Sequence, residues 1–475
     1  MGVEDEVAEG SALLPAAEER RRAYAQLTEL IERHLDGLGD LAVAPSAPYE
    51  AFEERLRGFD FGAPVPLEEL VEATGGLLGD GIVHTSHPRY FGLFNPAPTF
   101  AGVLADTLVA AFNPQLAVTS HAPAAVAIER HVISFLGGCF GLPGAAGTFT
   151  SGGAEANLTG LLVALERHFP AATEDGLAAV GERPTFYVSG EAHDSFVKAA
   201  RMTGLGQRAA RSVPVGDDLR LDVGALRAAI ERDRAAGERP FLVVATAGTT
   251  AGGIVDPLRE VAELCGELGL DLHVDAAWAG AAALSERLRP VLDGIERADS
   301  VTVDAHKWLS APMGAGVFIT RHPRDLTSTF RVAAGYMPSA ESTDPYLTSA
   351  QWSRRFTGLK VFMSLAAAGR AGYAAQIERD CRLGDRLRDG LTQGGWRVVN
   401  ETPLPVVCFV PGDHAADAAE LARIAAAVEG SGDAWISVAQ LDGRPALRAC
   451  IISHRTTEAD VDALCDSLER ARRAS

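Results

Sequence analysis

The residue best suited to covalent chemistry is Lys307, in the pentapeptide DAHKW (304–308). The chain has only three lysines, and the flanks of this one, SVTVDAH and WLSAPMGAGVF, are apolar. An apolar setting desolvates an amine and favours its neutral form, which is a good nucleophile toward an aldehyde. We therefore predict covalent chemistry at Lys307, whereas Lys198 and Lys360 are expected to be ordinary solvated charges.

Three further motifs carry groups that suit an aldehyde cofactor with a ring and a phosphate. Asp275, in HVDAAWAG, could cap a helix, but a buried carboxylate could also keep a ring nitrogen protonated. The stretch TSGGAEANLTGLLVAL (150–165) places Gly152 and Gly153 before a helix, and such a start lets the backbone approach an anion. His193 follows a predicted strand, where an imidazole could stack on a flat ring.

These residues are positioned by a pattern of alternating strands and helices that begins near residue 80. Nearly continuous apolar runs between helical patterns indicate a mostly parallel central sheet covered by helices on both faces, an α/β fold. Asp275 and Lys307 each follow a strand, and the carboxyl ends of parallel strands form the edge where α/β sheets bind ligands. The predicted strands lie within residues 184–189, 240–248, 270–278, 298–306 and 315–320.

Two flanking regions complete the predicted organisation. Residues 1–79 form an N-terminal helical segment that is too small for its own core and that we expect to pack on a second subunit. Residues 80–375 form the large domain, and residues 376–475 form a small α+β domain. The elements predicted in the flanking regions are a helix at 16–35, a helix near 376–393, strands at 396–400 and 405–411, a helix near 414–429, a hairpin turning at Asp442-Gly443 and a final helix from about 457.

The composition argues against several classes of function. With 475 residues, 47% of them hydrophobic, the chain can bury a large core. A formal net charge of −20 argues against nucleic acid or an anionic membrane as a partner, and no apolar run reaches the roughly 18 residues of a membrane span. Six scattered cysteines without a CxxC motif predict free thiols in a reducing cytoplasm and no metal site.

Taken together, TSGGAEAN, AHDSFVKAA, ATAGTT, HVDAAW and DAHKW, in this order, resemble the group II pyridoxal-phosphate-dependent amino acid decarboxylases. The similarity extends from HPRYFG (87–92) to RRFTGLK (354–360). It implies the type I fold of pyridoxal phosphate (PLP) enzymes, that of aspartate aminotransferase, with pyridoxal 5'-phosphate as the cofactor. It also implies that an L-amino acid is decarboxylated to an amine and carbon dioxide by a homodimer, whose active site is completed by a loop of the neighbouring subunit.

The resemblance further implies which residues contact the cofactor. Lys307 would bind its aldehyde, Asp275 would pair with its ring nitrogen, and His193 would stack on its ring and reach the substrate carboxylate. Many family members have serine where this chain has Ala154, so one side-chain contact to the phosphate is missing. The other implied contacts are Thr250 and Ala277 near the ring, and Gly152, Gly153, Ala154 and His306 at the phosphate.

For the substrate, the resemblance implies a mobile loop at 330–352 and a set of wall residues. Tyr336 of the loop would reach the neighbouring subunit and protonate the substrate carbon. Leu93, beside Phe94, replaces a ring that aromatic-amino-acid decarboxylases carry there, while Ser353 resembles plant members that prefer a phenolic substrate. We expect a neutral hydrophobic L-amino acid, aromatic or branched aliphatic.

Two alternatives stay open. The first is another PLP enzyme of the same fold: an aldehyde synthase, an aminotransferase or a carbon–carbon lyase. Arg455 in IISHRTT could grip a carboxylate as in aminotransferases, whereas Tyr336 favours plain decarboxylation, because relatives with phenylalanine there tend toward aldehyde formation. The second is a non-catalytic binding protein that retains the fold, and the intact Lys307, Asp275 and His193 argue against it.

Overall fold

The computed structural model describes residues 13–45, 47–332, 344–412, 414 and 417–474. Within these residues the chain forms fourteen α-helices and eleven strands. The helices α1 to α14 are Ala17–Gly37, Tyr49–Leu56, Leu67–Gly81, Phe100–Phe112, Pro123–Cys139, Gly153–His168, Ala171–Asp175, Ser195–Met202, Val223–Ala235, Leu258–Leu268, Pro323–Phe330, Gly358–Gln393, Ala418–Gly430 and Glu458–Ala474. The strands β1 to β11 are Ala146–Thr150, Pro184–Ser189, Ala210–Val213, Arg239–Thr246, Asp271–Asp275, Ser300–Asp304, Gly316–Thr320, Trp396–Val398, Val406–Pro411, Ser437–Leu441 and Arg444–Cys450.

A seven-stranded sheet in the order β1-β7-β6-β5-β4-β2-β3 forms the centre of the large domain. Strands β2 to β6 pair in parallel, and β7 pairs antiparallel with β1 and β6. Strands β2, β5, β6 and β7 are buried along their whole length, which is why they read as continuous apolar runs. Helices α5, α6, α9 and α10 pack against this sheet. The predicted α/β fold with a mostly parallel central sheet is confirmed.

The strand predictions differ in quality according to burial. The run at 184–189 coincides with β2, three other predicted runs each contain one strand, and the run at 240–248 overlaps β4, which begins one residue earlier at Arg239. Strands β1 and β3 were not predicted from the sequence. β1 (AGTFT) mixes glycine and threonine with few apolar residues, and β3 (ARSV) is a four-residue edge strand, so neither carries an apolar run.

The C-terminal part forms a separate antiparallel sheet in the order β10-β11-β9-β8. Its hairpin turns at Asp442 and Gly443, as predicted, and both have a positive φ, 47° and 73°. Helix α12 has 36 residues and crosses residue 375, with a break in helical geometry at Gly369. The division between the large and small domains at 375/376 therefore stays a prediction.

The N-terminal helices have no core of their own. Helices α1, α2 and α3 contain no buried residue, although α1 and α3 pack against each other. Tyr24 of α1 is 56% exposed and Leu78 of α3 is 55% exposed. None of the described helices is both long and apolar enough to cross a membrane.

Candidate active site

The candidate site lies at the carboxyl ends of two neighbouring parallel strands, β5 and β6. Asp275 ends β5, and Asp304 ends β6. After β6 the chain turns, and the backbone N–H of Lys307 donates to the carbonyl of Asp304 at 3.0 Å. Because β5 and β6 pair side by side, this turn brings Lys307 to the same sheet edge as Asp275.

Lys307 forms an ion pair that the sequence pattern did not predict. Its Nζ lies 3.0 Å from Oδ2 of Asp304, and the Asp304 side chain is only 3% exposed. The apolar flanks of Lys307 suggested an amine that is simply desolvated and neutral. In the fold, a buried carboxylate instead faces this amine. The second oxygen of Asp304, Oδ1, is buried and has no hydrogen-bond partner among the described residues.

Two donors hold the carboxylate of Asp275. Its Oδ1 accepts a hydrogen bond from the N–H of Ala277 at 3.1 Å, and its Oδ2 accepts one from Nδ2 of Asn157 at 2.8 Å. Asp275 is 5% exposed, and each donor offsets part of the cost of burying its charge. The carboxylate is therefore held in one orientation, with capacity to accept a further hydrogen bond.

Asn157 connects Asp275 to the buried ring of His273. A carboxylate only accepts, so Nδ2 of Asn157 faces Asp275 and its Oδ1 faces Nε2 of His273 at 3.2 Å. Nε2 must then carry the hydrogen, while Nδ1 accepts from Oγ of Ser300 at 2.8 Å. Complete burial lowers the pKa of His273 to about 4, so the ring is neutral at pH 7. Gly160 lets α6 approach this closely, since a Cβ there would lie 2.8 Å from Nδ1 of His273.

The glycine pair before α6 forms a cradle beside Asp304. Helix α6 begins at Gly153, and no side chain caps its first turn, which leaves backbone N–H groups for an anion. A Cβ added at Gly153 would lie 2.8 Å from Oδ2 of Asp304 and 3.4 Å from Cβ of Ala277. A side chain at this position would therefore displace the buried carboxylate of Asp304, and the exposed Ala154 follows it.

His306 borders the same cradle. Its Cε1 would lie 3.5 Å from a Cβ added at Gly152. Its Nδ1 accepts from the N–H of Ala315 at 3.2 Å, so Nε2 keeps its hydrogen and can donate to an anion. Burial lowers the pKa of His306, which favours the neutral ring.

His193 is exposed, in the segment that leads into α8. Its Nδ1 accepts from the N–H of Ser195 at 3.1 Å. Oγ of Ser195 in turn accepts from Nδ2 of Asn157 at 3.0 Å. The structure therefore connects His193 to the same amide that holds Asp275.

The predicted wall residues Leu93 and Phe94 lie on the loop before α4. Phe94 is buried and stacks on Trp278, with ring centres 4.5 Å apart and planes inclined by 15°. The ring centre of Trp278 lies 5.5 Å from that of Trp308, the residue after Lys307. The wall is thus continuous with the lysine turn, and Leu93 remains 49% exposed.

A buried arginine of the C-terminal antiparallel sheet holds this wall together. Arg448 donates from Nε to Oγ of Ser437 at 3.0 Å, from Nη2 to the carbonyl of Gly92 at 3.2 Å and from Nη1 to the carbonyl of Thr250. Its guanidinium carbon lies 5.7 Å from the ring centre of Phe94. Thr250, predicted to lie near the cofactor, is thereby joined to the wall. Sequence reasoning missed Arg448 because its position in β11 belongs to no motif.

Ser353 lies on the segment before α12. Its Oγ accepts from Nε2 of Gln115 at 3.0 Å. On the same segment, Nε2 of Gln351 donates to both carboxylate oxygens of Glu155, at 2.8 and 3.0 Å, which places the segment beside the start of α6. Tyr336 lies outside the described residues.

The two remaining lysines differ from each other. Lys198 is exposed, as predicted. The prediction for Lys360 was wrong, because its side chain is 5% exposed. Its Nζ donates to the carbonyl of Met313 at 2.7 Å and to Oδ2 of Asp106 at 3.3 Å, and these partners offset the burial. Desolvation lowers the pKa of Lys360.

Arg455, considered above as a carboxylate grip, has a different partner. Its Nη1 donates to the carbonyl of Leu35 in α1 at 3.5 Å. The arginine that reaches the predicted substrate wall is Arg448.

These residues fit PLP. The cofactor needs a cradle for its phosphate, a carboxylate for its ring nitrogen and an amine for its aldehyde. The start of α6 supplies the cradle, which a Cβ at Gly153 would fill, while Asp275 and Lys307 supply the other two groups.

Comparisons with known proteins agree with this geometry. Residues 62–411 match the pyridoxal-dependent decarboxylase conserved domain. The chain is similar to the aromatic-L-amino-acid decarboxylase of Bacillus atrophaeus, with 31% identity over 93% of each chain, and to the acidic amino acid decarboxylase GADL1 of Mus musculus, with 32% identity over 69% of this chain and 60% of the relative. It superposes on the crystal structure of Oryza sativa TDC with PLP and tryptamine with a TM-score of 0.91 and 25% identity, covering 97% of this chain and 98% of the other. The chain therefore belongs to the pyridoxal-dependent decarboxylase family and is a PLP-dependent amino acid decarboxylase.

Proposed function

We propose that this decarboxylase acts on a neutral hydrophobic L-amino acid, aromatic or branched aliphatic, and releases the corresponding amine and carbon dioxide. The observation that carries the proposal is the apolar wall formed by the stacked rings of Phe94 and Trp278. Each of the three guanidinium nitrogens of Arg448, next to this wall, already donates to a protein oxygen. A charged substrate side chain would lose hydration against the stacked rings, and three of the five N–H groups of Arg448 are already used by the protein.

Family membership alone does not select this substrate class, because the relatives include both an aromatic and an acidic amino acid decarboxylase. Leu93 supports the choice of a neutral side chain, since it adds a half-exposed apolar surface beside Phe94. Its N–H is held by the hydroxyl of Tyr90 at 3.2 Å, so the loop has a defined position. Ser353 is proposed as a further substrate contact.

In this proposal the cofactor is held at the ends of the parallel strands. Lys307 would form the covalent link through Nζ, Asp275 would accept the hydrogen of the ring nitrogen, and Ala277 would pack against the ring. Thr250 would lie near the ring. The phosphate would be held by the backbone N–H groups of Gly152, Gly153 and Ala154 and by Nε2 of His306.

In this proposal a few side chains have separate roles in the reaction. When bound, the cofactor supplies an electron sink for the pair of electrons left behind as carbon dioxide departs. Asp275 keeps the ring nitrogen protonated, and its relay through Asn157 holds the carboxylate in position. His193 orients the substrate carboxylate. Tyr336, donated in this proposal by the loop of the neighbouring subunit, delivers a proton to the substrate carbon.

We also propose that the enzyme is a homodimer. Phe100, Leu104, Leu108 and Phe112 recur every fourth residue along α4, and each is at least 42% exposed. Such an apolar stripe on one helix face indicates a surface that is covered in the assembled protein. The N-terminal helices, without any buried residue, also lack a core of their own. A second copy of the chain would cover both surfaces.

A screen of the twenty protein amino acids for carbon dioxide release, without any keto-acid acceptor, tests the substrate class. We expect turnover of one or more of the aromatic and branched aliphatic amino acids and little turnover of aspartate or glutamate. Preferred turnover of an acidic amino acid contradicts the proposal. The variant Leu93→Tyr sharpens the test, because an added ring in the wall should shift the preference toward aromatic substrates.

Sedimentation velocity tests the dimer. We expect the native protein to sediment as a dimer and Leu108→Asp to dissociate, since a carboxylate would have to be buried without a partner. Met202→Asp is the matched control, because Met202 is also an exposed apolar residue but belongs to α8 and not to the stripe on α4. A monomeric native protein, or a fully dimeric Leu108→Asp, contradicts the proposed interface.

A further inference from the structure

The proposed chemistry gives no role to Asp304, although its carboxylate lies next to the reactive amine of Lys307. Its side chain is 3% exposed, its Oδ2 lies 3.0 Å from Nζ of Lys307, and its Oδ1 is buried without a described partner. Asp275, the other carboxylate at this edge, already accepts from Ala277 and Asn157. Asp304 can therefore accept further hydrogen bonds next to the amine of Lys307.

The backbone holds Asp304 in this position. It ends β6, and the N–H of Lys307 donates a hydrogen bond to its carbonyl. This bond closes a turn that keeps Asp304 and Lys307 side by side. On its other side Gly153 leaves no room for a Cβ, so the carboxylate is pressed between α6 and the lysine. Nε2 of His306, the other polar group near it, lies 3.8 Å from Oδ2.

We propose that Asp304 is a further catalytic residue, which receives and holds the ammonium group of Lys307 each time the lysine is released from the cofactor. The inference rests on the proposed role of Lys307 as the covalent link. A released lysine would otherwise be a charged group in a mostly buried turn, and a buried charge without a partner is strongly unfavourable.

The step balances without any external reagent. The substrate nitrogen forms a bond to the aldehyde carbon of the cofactor, and the bond from that carbon to Nζ of Lys307 breaks. If the linking nitrogen carries one hydrogen both before and after the exchange, the substrate ammonium gives up two protons and Nζ takes up two, so that Nζ becomes an ammonium group paired with Asp304. When the product leaves, the same events run in reverse.

Labelling of the cofactor-free protein with acetic anhydride tests the pairing. The reagent acylates neutral amines, and mass spectrometry of peptides reports acylation at each lysine. We expect Asp304→Asn to raise the rate at Lys307 relative to Lys198 about tenfold or more, the size of a lost charge-assisted bond. Lys198 is exposed and serves as the internal reference. An unchanged ratio overturns the proposal.

Two further variants separate this effect from a general disturbance of the site. Asp380→Asn changes another buried acidic residue, which accepts from Nε1 of Trp308 at 2.8 Å and whose pKa burial raises to about 8, and should leave the labelling ratio unchanged. Asp304→Ser removes the carboxylate with a smaller side chain and should raise the ratio if Asp304→Asn does not fold. An equal rise in Asp380→Asn contradicts a specific role of Asp304.

The loaded enzyme supplies a second readout. After rapid mixing with substrate, the cofactor absorbance reports the exchange of Lys307 for the substrate nitrogen. We expect this exchange to slow about tenfold or more in Asp304→Asn. Borohydride reduction of the native holoenzyme must first trap the cofactor on Lys307. If it does not, the proposed function fails. If it does, but exchange is as fast in Asp304→Asn as in the native enzyme, only the role of Asp304 fails.

Discussion

The cofactor side and the substrate side of the site are built in different ways. On the cofactor side, Asp275 and Lys307 stand at the ends of neighbouring strands, and Lys307 pairs with a carboxylate only three residues away in the chain. On the substrate side, Arg448 joins Gly92 and Thr250, which are 356 and 198 residues away from it. One side is assembled by strand ends and a turn, and the other by contacts between segments that lie far apart in the chain.

The difference separates two kinds of effect. A substitution on the cofactor side removes a chemical group whose position the sheet has already set. A substitution on the substrate side shifts a wall that several distant segments hold together. We therefore expect the first kind to abolish the reaction and the second kind to change its rate and selectivity while the cofactor stays bound.

The largest expected effect is the loss of activity in Lys307→Arg. Arginine keeps a positive charge opposite Asp304, but its guanidinium stays protonated and cannot attack an aldehyde. We expect carbon dioxide release to fall on the order of 10⁴-fold or more, and the visible absorbance of the bound cofactor to vanish. Lys198→Arg is the control and should keep both. Colour and turnover that persist in Lys307→Arg would contradict the covalent role.

Asp275→Asn should have the next largest effect. A neutral amide cannot hold a proton on the ring nitrogen, so the electron sink is weakened while Lys307 still binds the cofactor. We expect single-turnover carbon dioxide release to fall about 10²–10³-fold, as for the loss of one preorganised electrostatic contact. Cofactor trapped by borohydride should remain on Lys307. A native rate in this variant would remove Asp275 from the proposed mechanism.

On the substrate side, Arg448→Lys should lower kcat/KM about ten- to a hundredfold. Lysine keeps the charge, but its single nitrogen cannot hold Ser437, Gly92 and Thr250 together. We expect poorer discrimination between large and small hydrophobic substrates, with unchanged affinity for the cofactor. Ser437→Ala removes one of these contacts and should cause a smaller loss. A parallel fall in cofactor affinity would erase the distinction between the two sides.

The smallest effect concerns acid stability on the cofactor side. His273 has its ordinary pKa of 6.5 in the unfolded chain but a pKa of about 4 in the fold, because it is fully buried. Above pH 6.5 the ring is mostly neutral in both states, so its titration does not lower the free energy of unfolding. As the pH falls from 6.5 toward 4, the unfolded chain binds more protons than the folded one, and the free energy of unfolding decreases. We expect about 1 kcal/mol less free energy of unfolding at pH 5.5 than at pH 7 from this residue, measured by urea denaturation. In His273→Asn this part of the pH dependence should disappear, and an unchanged slope would show that His273 is not its source.

The residues that would contact the cofactor were largely predictable from local patterns. The side chains that hold those residues in place were not. The motif TSGGAEAN already contained Asn157, and DAHKW already contained Asp304, yet neither was assigned a role. Whether their side chains face Asp275 and Lys307 depends on the pitch of α6 and on the turn after β6, which residue types alone do not reveal. The burial of Lys360 was missed for a related reason, because its partners Asp106 and Met313 belong to other segments of the chain.

By itself, the sequence determined the alternation of buried strands and helices, the fold class and the sheet edge at which Lys307, Asp275 and Gly153 lie. These follow from apolar runs, helix starts and turns, which are properties of neighbouring residues. Only the tertiary structure decided that a carboxylate faces the reactive amine and that Arg448 secures the substrate wall. Those contacts depend on how turns, helices and domains pack, and packing brings together groups whose neighbours in the chain carry no sign of the encounter.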